Sequence, residues 1–335
     1  MTAPLSTGLS GGAGAAAGDP GAAAPAPDPA LDPQAQQTAS PWRLAWERLR
    51  RRRAALVGAG IIAFFVLAAV FAPVLTAISG TGPDATDKRA IDPYLGGLPR
   101  GSAGGMSPQH WLGVEPMLGR DIFARLLYGA RISLTVAFSA AVMITVIGVL
   151  LGITSGYFGG RIDTVISRFM DVMMSFPSLI FMMALLSVVQ NVNRVLLLIV
   201  VMSLFTWPYI ARVIRGQTMS LKHREYVEAA RASGTTSARI LFSEILPNLT
   251  GTIIVYLTLA IPGLIGAEAG LTYLGVGVRP PTPSWGQMIA DSSLYYKVDP
   301  MFFVLPCSCL FLMVLAFTLL GDALRDALDP KGSRG

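Results

Sequence analysis

Six uncharged, apolar runs dominate this 335-residue chain: Ala54–Ile78, Ile132–Phe158, Val172–Asn193, Val195–Ala211, Ile245–Ala267 and Pro300–Gly321. Each approaches or exceeds the roughly 17–25 residues that a helix needs to cross a bilayer. Hydrocarbon offers no water to the backbone, so such runs are expected to close their own hydrogen bonds as helices. Composition points the same way: 53% of residues are hydrophobic and 14% charged, whereas a soluble domain carries about 25% charge. The predicted class is an all-α membrane protein with about six transmembrane helices. An even number of crossings places both termini on one side.

The basic residues say which side. Counted by alternate loops, 17 Lys and Arg fall with the N-terminal segment and 9 opposite, and the positive-inside rule then makes the N- and C-termini cytoplasmic. Six of the nine lie in the Gly- and Pro-rich segment 79–131, which is extracytoplasmic on this topology. The net charge of +6 does not point to nucleic acid, because the basic residues flank apolar runs instead of clustering with stacking aromatics on one face.

Residues 1–40 are Ala, Gly, Pro and Ser with scattered Asp, too poor in large apolar side chains to offset the entropy of ordering. They are expected to be a disordered tail. The first apolar run begins only at Ala54 and is too long for a cleavable signal. Between them, residues 41–53 place Trp42, Trp46 and Leu49 at helical spacing beside Arg43, Arg48 and Arg50 to Arg53, a basic amphipathic segment suited to an anionic leaflet. A plain cytoplasmic charge flank is the other reading.

Chemistry-bearing residues are few. Cys307 and Cys309 sit inside an apolar run, where they serve as packing. His110 and His223 lack a second ligand at metal-binding spacing and read as solvent-exposed loop residues. No phosphate-cradling GxxxxGK loop followed by Ser or Thr is present, so the chain should not hydrolyse ATP itself and needs no cofactor.

The cytoplasmic stretch 212–250 reads as helix, turn, helix. Glu225 to Arg231 are helix formers, and Gly234 is placed to end them in the left-handed conformation. Thr235 and Thr236 are candidate N-caps for a second short helix, which Pro247 should end near Leu246. Ile240, Leu241 and Phe242 find no evident core in so short a loop, so a protein partner is the expected cover.

These residues resemble a known motif. Glu228, Ala229, Ala230, Gly234, Leu246 and Pro247 are similar to the EAA loop of ABC importer permeases, with Glu244 where the family usually has an apolar residue. The chain also resembles the C-type permease of the dipeptide/oligopeptide branch over most of its length beyond the tail. The matching stretches are Gly119-Arg120-Asp121, Tyr128 to Leu134, Gly156 to Gly160, Ser175 to Leu179, Tyr273 to Gly277, Pro280 to Gly286 and Gly321 to Pro330; Gly113 to Leu118 departs from the pattern. The resemblance implies a type I ABC importer permease bundle over 54–330, in the cell membrane of a prokaryote. It implies a homologous B-type permease, two ATPase subunits docking on the EAA loop and an extracytoplasmic peptide-binding protein as partners. Peptides are the implied cargo, with nickel complexes or glutathione as alternatives.

Glu268, near the outer end of the fifth run, would cost roughly 2.5–3.5 kcal/mol at mid-bilayer and should face a wet cavity or a partner, in a pathway or a structural role. Pro177, Pro208, Pro262 and Pro306 read as static kinks more than hinges. An ion-driven transporter would want ionisable residues inside its spans, and only Glu268 and Asp171 come near. A membrane enzyme would need a nucleophile with a base, and none is evident.

Overall fold

The computed structural model of the protein describes residues 41–101 and 103–328, with side chains from residue 46 onward. The expectation of a disordered tail over 1–40 lies outside the described residues. The packing described below lies within residues 44–328.

Helix α1 (Pro41–Arg51) ends at Arg52, whose extended backbone separates it from α2 (Arg53–Val70). After one more break at Phe71, the first run continues as α3 (Ala72–Ser79). The segment 80–121 then folds without long helices around a two-stranded antiparallel pair, β1 (Ile91–Asp92) with β2 (Leu98–Pro99). Helix α4 (Ile122–Phe158) starts ten residues before its apolar run does, because Asp121 caps it by accepting the Ala124 N–H at 2.8 Å.

The third run departs from the expected single span. It is split into α5 (Gly160–Ser175) and α6 (Ser178–Val188), bent by 84°. Phe176 is extended, as the residue before Pro177 is sterically driven to be. Helix α7 (Arg194–Leu221) runs ten residues past the predicted end, straight through Pro208. The last long helices are α10 (Leu246–Tyr273) and α12 (Pro300–Leu328), with Pro262 and Pro306 inside them and α11 (Trp285–Ser292) between.

Helices α4 and α7 form the centre of the bundle. Gly148, Gly152 and Gly156 sit four residues apart on α4, and a Cβ on them would lie 3.0 Å from Ile210 Cβ, 2.7 Å from the Ala211 carbonyl and 2.7 Å from the Arg215 carbonyl. Small residues at this spacing let two helix backbones meet where lipid supplies no hydrophobic drive between them. Both numberings rise together along this contact, so α4 and α7 run parallel. The chain between them must therefore recross the bundle, which makes α5 and α6 one broken span and brings the crossings to six.

The start of α2 and the last turns of α12 meet on one side of the bundle. Arg52, just before α2, holds Asp326 of α12 at 2.6 Å, and Gly58 of α2 packs against the Ala316 carbonyl. Both observations agree with an even number of crossings.

At the opposite side, the segment 80–121 is pinned by buried charge. Arg125 is fully buried, with Nε 2.5 Å from Glu115, while the Arg120 Nε reaches the other oxygen of that carboxylate at 2.5 Å and Asp291 of α11 lies 3.7 Å from Arg120. Burial pushes the Glu115 carboxyl up from the ordinary carboxylate range, while Arg125 and Arg120 pull it back. His110 is corrected here. It is 6% exposed, not a solvent-exposed loop residue, with Nδ1 2.8 Å from Asp121 and Nε2 3.5 Å from Asp87. A buried carboxylate that caps α4 and a half-exposed one across the loop flank its ring, which a pattern of spacings does not reveal.

Candidate coupling surface

The stretch that joins α7 to α10 forms a knob. Helix α8 (Glu225–Ala232) follows α7 after three residues, and its last turn closes as the sequence requires. Gly234 adopts φ +77, its N–H bonds the Arg231 carbonyl at 3.0 Å, and the Thr235 N–H bonds the Ala230 carbonyl at 3.1 Å. These two bonds are the paired closure of a Schellman motif, which satisfies carbonyls that a helix end otherwise leaves orphaned. Thr236 then occupies the N-cap of α9 (Ser237–Arg239) without a side-chain cap bond.

The second half of the knob corrects two expectations. Pro247 does not end a helix. Residues Ile240–Ile245 form a wide turn in which the Leu246 N–H bonds the Leu241 carbonyl five residues back, and α10 runs on from there to Tyr273. Proline has no N–H and its ring clashes with the carbonyl four residues earlier. The wide turn shifts that carbonyl register just before Pro247, so the helix passes. The second correction concerns Ile240 and Leu241, which are 1% and 9% exposed, packed with Val227, Ile245 and Leu249 in the protein's own core. Only Phe242 of the three stands out, at 59%.

The knob is tied to the bundle by polar anchors. The Asp163 carboxylate of α5 takes both the Arg215 Nε at 2.5 Å and the Arg215 Nη2 at 2.7 Å from α7, and also accepts from Ser155 of α4. Lys222 Nζ donates to the Gly156 carbonyl at 2.9 Å, and the Arg231 guanidinium lies over the Tyr157 ring at 5.6 Å. Sequence reading treated Arg215 only as a cytoplasmic charge and missed this clamp. A signal was present in Gly156 to Gly160, since that stretch sets the turn that carries Asp163 back beneath α7. Replacing Asp163 by alanine leaves a half-buried Arg215 uncompensated and is expected to cost about 2 kcal/mol, read as a lower melting temperature in detergent. Arg215→Lys keeps the charge but loses the fork and should fall between.

The residues singled out in the loop lie on α8, on the turn that closes it and on the first turn of α10. Glu228, Ala229, Gly234 and Pro247 are exposed, while Ala230 and Leu246 are half-buried and pack against the core. The Gly234 position is open, with nothing within 4 Å of where a Cβ would stand. Beside them, at the base of the knob, an open hollow of about 610 Å³ is lined by Leu221, His223, Arg224, Glu225, Tyr226 and Asn248.

Glu268 lies far from this knob along α10. It is fully buried, and Ser133 and Thr272 donate their hydroxyls to it at 2.8 and 2.9 Å. Ser133 also accepts the Trp285 N–H at 3.3 Å, so the carboxylate fastens α4, α10 and α11 together. Hydroxyls of the same chain surround it, in place of the expected wet cavity or partner. Glu268→Leu removes the acceptor for two buried hydroxyls and is expected to destabilise by about 1–3 kcal/mol. Glu268→Gln keeps one acceptor and should lose less in the same melting measurement.

An apolar space opens elsewhere, between α4, α6, α7 and α10. Its volume is about 400 Å³, and Met182, Met202, Phe205, Tyr209, Tyr256 and Leu264 are among its walls, with no charged side chain in the lining.

Comparison with known proteins places this architecture. Residues 148–334 match the model of the binding-protein-dependent transport system inner membrane component, and residues 40–95 match the N-terminal TM domain of oligopeptide transport permease C. The chain belongs to this transport permease family. The permease is 38% identical over 301 residues to the dipeptide transport system permease protein DppC of Alkalihalophilus pseudofirmus, covering 89% of this chain and 93% of that one. It is 38% identical to the oligopeptide transport system permease protein OppC of Bacillus subtilis, over 89% and 92% of the two chains. It is 39% identical to the glutathione transport system permease protein GsiD of Salmonella typhimurium, over 88% and 92%. Among solved structures, a chain of the inward-facing MetNI methionine ABC transporter matches with a TM-score of 0.49 and 20% identity, covering 61% of the permease and 96% of that chain.

Proposed function

We propose that this permease forms one half of the translocation pathway of an ATP-driven importer for dipeptides or oligopeptides in a prokaryotic cell membrane. The likeness to DppC and OppC over nine tenths of the chain carries the cargo reading. The exposed knob, built on Glu228, Ala229, Ala230, Gly234, Leu246 and Pro247, carries the coupling reading. Two ATPase subunits dock there from the cytoplasm. A homologous B-type permease supplies the other half of the pathway, and an extracytoplasmic peptide-binding protein delivers the cargo.

The cavity walled by Met182, Phe205, Tyr209 and Tyr256 suits this role. An uncharged wall of aliphatic and aromatic side chains with Met182 and Met202 among them can repack around varied side chains and holds none tightly. The knob supplies what the spans lack. Moving a two-state pathway from 1:99 to 99:1 takes about 5.5 kcal/mol of differential binding, which must arrive from a partner that binds nucleotide.

Glutathione import is the second reading, favoured by the 39% identity to GsiD. Both are tested in vesicles holding the copurified complex, with ATP inside and binding protein outside. Dipeptide uptake that stops on ATP depletion and persists with an uncoupler supports the proposal. Uptake by the isolated chain, or uptake that follows a proton gradient, overturns it. Competition by unlabelled glutathione alone would move the assignment to the second reading.

A further inference from the structure

The junction of α1 and α2 carries more positive charge than the bundle uses. Arg48, Arg50, Arg51, Arg52 and Arg53 are all exposed. Arg52 is held by Asp326 at 2.6 Å and Arg50 lies over the Trp46 ring at 5.9 Å. Among the described residues no carboxylate stands within ion-pair distance of Arg48, Arg51 or Arg53.

These charges are ordered in space. At 100° per residue Trp46 and Leu49 share one side of α1, Arg48 and Arg51 take the other, and Arg50 borders the tryptophan. Trp46 is 58% exposed, so the apolar stripe of the helix is left open by the bundle. One extended residue, Arg52, then joins α1 to a helix apolar enough to cross the bilayer. Continuity with a spanning helix fixes where α1 sits. Its arginines fall at the level of lipid headgroups, where a tryptophan is at home with its ring in the interface and phosphates are the nearest complementary charge.

We propose that α1 is a binding surface for acidic phospholipids, with Trp46 and Leu49 entering the interface and Arg48, Arg50 and Arg51 engaging the headgroups, so that the seating of the permease depends on the acidic lipid content of its leaflet. The surface is independent of the cargo and of the knob. Each arginine near an anionic surface contributes roughly fivefold to partitioning, and salt weakens the effect.

The test uses the full chain with Cys307→Ser, Cys309→Ser and Trp46→Cys, the last labelled with bimane, in vesicles of phosphatidylcholine alone or with about one third phosphatidylglycerol. Quenching by acrylamide, which is uncharged, reports the exposure of position 46. It should fall at least about threefold in the acidic vesicles and recover in about half-molar salt. Replacing Arg48, Arg50 and Arg51 together by glutamine should remove the difference between the two membranes. Equal quenching in both membranes with all arginines present overturns the proposal. So does protection in phosphatidylcholine that arises only when the other subunits are added, since a protein would then cover the face. If the triple variant fails to insert, the comparison of the two lipids with intact arginines still decides.

Discussion

Gly234→Val should lower ATP-driven uptake by the assembled transporter at least about tenfold, while the amount of permease in the membrane stays near wild type. The residue stands at φ +77, where a β-branched side chain pays at least about 1–2 kcal/mol in the backbone alone, and each 1.4 kcal/mol is a factor of ten. Open space surrounds the position, so the added methyls strike nothing in the permease itself. The loss falls on the Schellman closure, which sets how α8 presents Glu228 and Ala229. Uptake, ATPase stimulation by loaded binding protein and recovery of ATPase subunits on the purified permease should decline together. Undiminished uptake would remove the knob from the coupling mechanism.

Gly152→Leu should have the largest effect on the fold. A Cβ there would lie 2.7 Å from the Ala211 carbonyl and 2.9 Å from Ile214 Cβ, so the clash is with backbone and with a branched side chain that cannot turn away. Helices α4 and α7 would have to separate along the seam that organises the bundle. The expected cost is about 3 kcal/mol, at the upper end for overpacking, read as a fall in the monodisperse fraction after detergent extraction. Gly216→Ala on α7 is the control. Nothing lies within 4 Å of its would-be Cβ, and it should change little.

The apolar runs were legible because hydrocarbon admits so few backbone conformations: five of the six fall on long helices, and the third falls on the bent pair α5 and α6. Their ends were not legible. Helix α4 begins at Ile122 and α7 continues to Leu221 because charged residues in those turns find partners that spacing cannot show: Arg125 with Glu115, Arg215 with Asp163. The longer helices also explain the error over Ile240 and Leu241. Once α7 reaches Leu221, the loop has a wall to pack against next to the end of α4, and its apolar residues turn inward. Pro177 was legible as a kink, but the 84° bend that splits the third span follows from Phe176 being forced extended beside it. The left-handed helix end at Gly234 could be read outright, since it depends on local chemistry alone. The wide turn before Pro247 could not, since it answers a clash that appears only once the helix is required to continue.

That wide turn leaves no slack on one side of the knob. From Ser237 to Tyr273 the backbone is helical throughout, so whatever seizes the surface near Gly234 grips the end of a rod that reaches through the membrane to the Ser133–Glu268–Trp285 junction. On the proposed coupling, a displacement of a few ångströms at the near end would tilt the far one, past the cavity that α10 helps to wall.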